Sequence, residues 1–206
     1  MITPQLTLDF AVAQTAYPGY DLAEAGDRHV IEYFERGVLI AAIDGLGHGQ
    51  KAAEAAIAAV DALQQNPSRS PVLLMEHCHR AARGTRGAAI SLASLSFVDS
   101  QLHWIGVGNV KAVLFRAEST GENQREHLLA RAGTVGYRLP TLRSYELPIY
   151  QNDVLIFVTD GVRSDFAQSV CMDHPVQELA DHILEQHNRN TDDALVIVAK
   201  VLASDS

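Results

Sequence analysis

Four short acidic motifs carry the chemistry legible in this 206-residue chain: Gly26-Asp27, Asp44-Gly45-Leu46-Gly47-His48-Gly49, Thr159-Asp160-Gly161 and Asp192-Asp193. The middle two each follow an apolar run, residues 38–43 before Asp44 and residues 154–158 before Asp160. A carboxylate at such a place stands where a buried strand meets solvent, and the glycine after it lets the backbone turn sharply. Carboxylates converging at strand ends repel one another unless positive charge lies between them. Hard divalent cations take oxygen ligands, so a pair of magnesium or manganese ions is the natural occupant. The chemistry implied is two-metal hydrolysis.

Each motif also has a plainer reading. Gly45, Gly47 and Gly49 loosely imitate a dinucleotide loop, but the spacing differs, no βαβ unit follows, and Asp44 would repel a pyrophosphate. Asp44 could cap the helix that follows it. Asp160-Gly161 is a common turn pair, Asp192-Asp193 follows a polar turn, and Asp27 could be a loop carboxylate. Four such motifs in one chain outweigh these readings taken singly. His48 precedes the helix N-terminus, with a proton-transfer role set against contact to backbone. His77 and His79 flank Cys78 two residues apart, so on a helix they point apart and do not form one zinc site.

The elements that position these residues follow from pattern. Residues 6–12 alternate as a strand, and residues 17–25 form a loop. A hairpin follows, with arms at 29–34 and 37–43. Alanine-rich residues 50–65 and Pro-initiated residues 71–83 are helices. Residues 87–98, 102–107 and 110–116 are expected as a three-strand meander turning at Asp99-Ser100 and Gly108-Asn109. Residues 117–124 are a polar loop, short strands lead to 147, and a strand at 153–158, a helix at 176–187 and a strand at 194–202 close the chain. This order is not the βαβα rhythm of a parallel sheet. It predicts an α+β fold, a layered β-sandwich of mostly antiparallel strands flanked by helices.

Composition narrows the function classes. The length suits a single domain spanning 1–206. A net charge of −9, from 25 acidic and 16 basic residues, argues against nucleic acid. No apolar stretch is long enough to span a membrane, and no secretory signal is visible at the start. Cys78 and Cys171 suit free thiols in a reducing compartment, so a cytoplasmic location is expected.

In this order the motifs resemble the type 2C (PPM) metal-dependent protein serine/threonine phosphatases, and within them the compact SpoIIE/RsbX-like bacterial branch. The likeness runs through residues 42–47, the helix-then-strand passage 78–91 containing Arg86-Gly87-Ala88-Ala89, and Gly106-Val107-Gly108-Asn109-Val110. It ends in Thr159-Asp160-Gly161 and Asp192-Asp193. The resemblance implies two manganese or magnesium ions, with Asp44 bridging both and Asp44 and Asp160 as the catalytic carboxylates. Asp160 and Asp192 would complete one metal site; Asp27 and the Gly45 carbonyl would complete the other. Asp193 remains the alternative to Asp192, since neighbours in a strand face opposite ways. A water between two cations would attack phosphorus in line. The implied partners are phosphorylated STAS-domain proteins of a stressosome (RsbS/RsbR-like).

The chain departs from the larger family members at three places. Leu46 stands where they carry histidine, and Asn109 stands where an aspartate is common. Their N-terminal phosphate-binding arginine has no counterpart, leaving Arg86 and Lys51 as candidates. Two other functions fit the same residues: a non-catalytic module binding phosphorylated partners, and a phosphatase acting on anti-sigma factor antagonists.

Overall fold

A computed structural model describes residues 6–119 and 124–203. Ten strands and three α-helices follow in the order β1 (Leu6–Thr15), β2 (Asp27–Phe34), β3 (Gly37–Gly45), α1 (Gln50–Gln64), α2 (Pro71–Ala81), β4 (Ala88–Ser96), β5 (Gln101–Val107), β6 (Lys111–Phe115), β7 (Arg125–Leu128), β8 (Tyr145–Pro148), β9 (Val154–Val158), α3 (Val176–His187) and β10 (Ala194–Ala203). They form two five-stranded sheets, β1-β10-β9-β6-β7 and β2-β3-β4-β5-β8, with every strand pair antiparallel. Among the described residues, no helix is long and apolar enough to cross a membrane.

Strand periodicity explains the layers. Successive side chains alternate between faces. Val38, Ile40 and Ala42 of β3 therefore meet Leu195, Ile197 and Ala199 of β10 and Leu155 and Phe157 of β9 in a core between the sheets. The odd residues of β3, Leu39, Ala41 and Ile43, pack against Ala56, Ala59 and Leu63 of α1 and Leu74, Met75 and Cys78 of α2. On the opposite side, Val154, Ile156 and Val158 of β9 and Val196 and Val198 of β10 pack against Leu179, Ala180 and Ile183 of α3. The strands β3, β9 and β10 are covered on both faces, and so read as unbroken apolar runs rather than alternating ones.

The expected hairpin, all three helices and the closing strand form near their predicted positions. The expected meander does not. β4 and β5 pair, but β5 goes on to pair with β8, while β6 lies in the other sheet beside β9 and β7. Gly108-Asn109 is thus a crossing between sheets rather than a hairpin turn. The crossing runs through Gly108 at φ +101°, where an added Cβ would also press on Ala89. Of the expected polar loop 117–124, residues 120–123 lie outside the described residues.

Candidate active site

Alternation carried to the strand ends builds the site. Asp44 continues the inward series of Val38, Ile40 and Ala42, and it pairs in register with Asp27 at the start of β2. Thr159 continues the inward series of Leu155 and Phe157 in β9, and Asp193 precedes the inward Leu195 of β10. These four residues lie at one open end of the inter-sheet layer. Asp160 and Asp192 sit just beyond the strand ends, Asp160 exposed and Asp192 half-buried.

The partners of each carboxylate differ. Asp27 is only 2% exposed, and its Oδ2 accepts a bond from Thr159 Oγ1 at 2.6 Å. Thr159 Oγ1 in turn accepts from the Leu195 N–H at 2.9 Å. Asp160 Oδ2 accepts from Asn109 Nδ2 at 2.7 Å. Asp192 Oδ1 accepts from the Asp193 N–H at 2.9 Å. Asp193, 3% exposed, is saturated by main chain: Oδ1 accepts from Tyr17 N–H at 2.7 Å and Oδ2 from Gly26 N–H at 2.6 Å. The two adjacent aspartates are therefore divided. Asp193 ties the start of β10 to the loop before β2, while Asp192, half-buried, has only the Asp193 N–H as a hydrogen-bond donor among the described residues.

Glycine lets these segments approach. A Cβ on Gly45 would run into the Ala52 carbonyl of α1, and one on Gly161 into the carbonyl of Asp193. The Gly45 N–H donates to the Gly26 carbonyl at 3.1 Å, and the Leu46 N–H to the Gly87 carbonyl at 2.9 Å. Gly47, at φ +90°, leaves room for Arg86; a Cβ there would meet Arg86 Nη1 at 2.5 Å. His48 stacks on Tyr17, with ring centroids 5.2 Å apart, and leans on Tyr20. Lys51 is exposed on the first turn of α1.

Electrostatics mark the cluster as charge-deficient. Burial, then the charges of Asp160, Asp192 and Asp193, push the Asp44 carboxyl up to about 8. Burial and then Asp44 hold Asp27 well above the ordinary carboxylate range, against the opposing hydrogen bond from Thr159. Burial also raises Asp192, with His48 acting in the lowering direction. Among the described residues, none of Asp27, Asp44, Asp160, Asp192 or Asp193 forms an ion pair within 4.0 Å.

The donor set is all hard oxygen, with Lys111 and His48 near enough to act on Asp160 and Asp192 but not paired within 4.0 Å among the described residues, and this suits magnesium or manganese. Among the described residues, no group of three or more His, Cys, Asp or Glu side chains stands close enough together to hold a metal ion. Magnesium and manganese sites commonly keep several waters, so they do not need an all-protein cage.

The sequence reading missed the Asn109 bond to Asp160, the Thr159 bond to Asp27 and the tyrosine bracket on His48. The only sequence signal for the first was the glycine-flanked turn; a bond between residues 132 apart, as for Thr159, leaves none. His77, Cys78 and His79 diverge as expected. His77 Nε2 meets Arg69, His79 Nδ1 accepts from Gly136 N–H, and Cys78 is buried against α1.

A family model described as stage II sporulation protein E (SpoIIE) matches residues 35–202. The chain belongs to the SpoIIE family. The phosphoserine phosphatase RsbX of Bacillus subtilis (strain 168) is 23% identical over 177 residues, 85% of this chain and 87% of RsbX. A crystal structure of RsbX with magnesium superposes at TM-score 0.80, with 21% identity, covering 97% of this chain and all of that one. A chain from a structure of the bacterial stressosome, described as a modular system adapted to control secondary messenger signalling, reaches TM-score 0.83. It is 27% identical and covers 94% of this chain and all of its own. The catalytic domain of the phosphatase PstP, solved with two manganese ions, reaches TM-score 0.66 at 16% identity, covering 96% of this chain and 99% of that one. With SpoIIE-family membership come the α+β PP2C-type fold and the activity class, a metal-dependent serine/threonine phosphatase using magnesium or manganese.

Proposed function

We propose that residues 1–206 form one phosphatase domain that removes phosphate from phosphoserine or phosphothreonine of STAS-domain partner-switching regulators (RsbS/RsbR-like) in the cytoplasm. The observation that carries this reading is the carboxylate cluster, fed by both sheets at one open end and forming no ion pair within 4.0 Å among the described residues.

Asp44 would serve both divalent ions, with Asp160 and Asp192 holding one and Asp27 and the Gly45 carbonyl the other. When bound, the two ions supply an acidified water and neutralise charge on the phosphoryl oxygens. Asn109 holds Asp160 in place through its 2.7 Å bond. Thr159 holds Asp27 through its bond to Oδ2, leaving Oδ1 without a protein donor among the described residues. Arg86, laid across Gly47 at the rim, is placed to grip the phosphoryl group, a planar donor fork being suited to that task. His48, exposed and bracketed by Tyr17 and Tyr20, is the side chain able to hand a proton to the departing serine oxygen.

RsbX is named for phosphoserine hydrolysis, and the similar stressosome chain comes from a modular system adapted to control secondary messenger signalling. These likenesses support the substrate class. The test is phosphate release from para-nitrophenyl phosphate and from a phosphoserine STAS protein, with manganese against EDTA. Manganese-dependent turnover abolished by Asp44→Ala is the expected result. Full turnover by that variant, or none by the folded wild type, overturns the reading.

A further inference from the structure

Charge is distributed unevenly on this acidic chain. Residues 77–98 contain no Asp or Glu, and neither do residues 127–145; between them they hold six of the thirteen arginines. The fold brings the two stretches together. Ala88 and Val135 exchange both backbone bonds at 2.9 Å, and the Gly136 N–H reaches His79 Nδ1 at 3.0 Å. Gly136, at φ +92°, packs on Ala82 at the end of α2, where a Cβ would meet the Ala82 carbonyl at 2.7 Å.

The result is a basic region: Arg83 lies near His79 and Arg138 pairs with Thr134 in the 134–138 turn, Arg86 lies beside Gly47, Arg131 pairs with Gly106 of β5, and Arg143 follows in the same acid-free segment; the sixth arginine, Arg80, shares a hollow with Asp61 and is set apart. Among the described residues, none of the five pairs with a carboxylate within 4.0 Å. Four are exposed; Arg131 is half-buried and its Nε has no hydrogen-bond partner in the structure. Tyr137 and Leu129 rise from the same segment at 85% and 77% exposure. This face is continuous with the carboxylate cluster. Val135 pairs with Ala88, and Ala88 pairs in turn with Gly45, so the segment runs two strand spacings, about 10 Å, from the Asp44 strand. Arg86 spans the boundary.

We infer that this face docks an acidic segment of the phosphoprotein substrate, placing carboxylates a few residues from the phosphoserine against Arg83, Arg131, Arg138 and Arg143. At about 3.3 Å per residue, a gap of about 10 Å corresponds to positions roughly three residues from the phosphorylated one. The occupant is an acidic protein segment, because the face leads directly into the site where a phosphoryl group is processed. Its apolar and aromatic members suit a protein chain. The inference rests on the phosphatase reading above and specifies which substrates that site prefers.

The test uses the full chain with manganese, para-nitrophenyl phosphate, and two phosphoserine peptides differing only in Asp/Glu or Ser/Ala at the flanking positions. The acidic peptide is expected to show about tenfold higher kcat/KM, through KM, with the advantage shrinking as salt rises from 50 to 300 mM. Arg83→Glu/Arg138→Glu should bring the two peptides within twofold of each other and leave para-nitrophenyl phosphate turnover unchanged. Arg36→Glu, at the β2–β3 turn, should preserve the discrimination. Equal rates for both peptides on wild type, or discrimination kept by the double variant, would overturn the inference while para-nitrophenyl phosphate turnover keeps the phosphatase reading intact. If no substrate is turned over, anisotropy of labelled peptides decides docking independently: acidic preference lost in the double variant supports it, and no preference overturns it. Binding to phosphatidylserine vesicles with no peptide discrimination overturns it as well.

Discussion

Replacing Asp44 by Asn should make the metal-free protein more stable and catalytically dead. Asp44 lies opposite Asp27 across β2 and β3 and within the fields of Asp160, Asp192 and Asp193. Its carboxyl is pushed from the ordinary 3.8 up to about 8. At 1.36 kcal/mol per pH unit, this corresponds to at most about 6 kcal/mol of unfavourable free energy above pH 8. Local relaxation and entering water reduce that, so a gain of about 3 kcal/mol is expected for the amide. The sign follows from linkage. A carboxyl whose folded pKa is raised contributes its full stability below the unfolded value of about 4 and loses it as pH climbs to about 8. Wild type in EDTA should therefore lose stability from pH 4 to 8, while Asp44→Asn stays flatter. Thermal melts at pH 8 in EDTA should place the variant roughly 10 °C above wild type for a chain of this size. At pH 4.5 the difference should nearly vanish. Manganese should raise the wild-type Tm at pH 8 and scarcely move the variant, which should show no phosphate release. A variant melting at or below wild type at pH 8 without metal would refute the claim that these carboxylates repel one another.

Other outcomes separate roles within the site and the scaffold. Asp192→Asn should abolish manganese-dependent turnover with the Tm unchanged or higher. Asp193→Asn should instead lower stability by about 2–4 kcal/mol, since it weakens two charge-assisted bonds from buried main chain; paired melts and assays check both. Gly45→Ala should cost at least about 2 kcal/mol and activity together, because the new methyl strikes the α1 backbone at Ala52, and a urea titration reads it. Arg116→Ala should destabilise by about 3–5 kcal/mol without touching the site. The Arg116 side chain binds Asp153 at 2.8 Å, the Pro148 carbonyl at 2.7 Å and Glu126, and its loss strands a buried carboxylate; melts at pH 7 check it.

Much of this was legible in the residues because the informative signals are local. α3 lies at the predicted 176–187 because Leu179, Ala180, Ile183 and Leu184 repeat at helical spacing on one buried face. The strand-then-Asp-Gly pattern located Asp44 and Asp160 because a buried run must end where its carboxylate can meet solvent. What escaped was long-range. Nothing in residues 102–116 tells whether β6 returns beside β5 or crosses to the other sheet; that choice rests on pairing with β9, some forty residues later. Nothing local separates Asp192 from Asp193, since the contacts that engage Asp193 come from Tyr17 and Gly26. The Arg116–Asp153 pair was invisible for the same reason.

The pairing of β1 with β10 joins Leu6 to Ala203, so nearly the first described residue neighbours the last. β10 is also the central partner of β9, and Asp192 and Asp193 immediately precede it. During synthesis, the sheet that carries Asp160 lacks an interior strand until residue 203 has left the ribosome. A nascent chain shorter than that has its first strand unpaired and only part of its acidic cluster in place. Catalytic competence consequently waits on β10, and no translation product ending before it can act as a phosphatase.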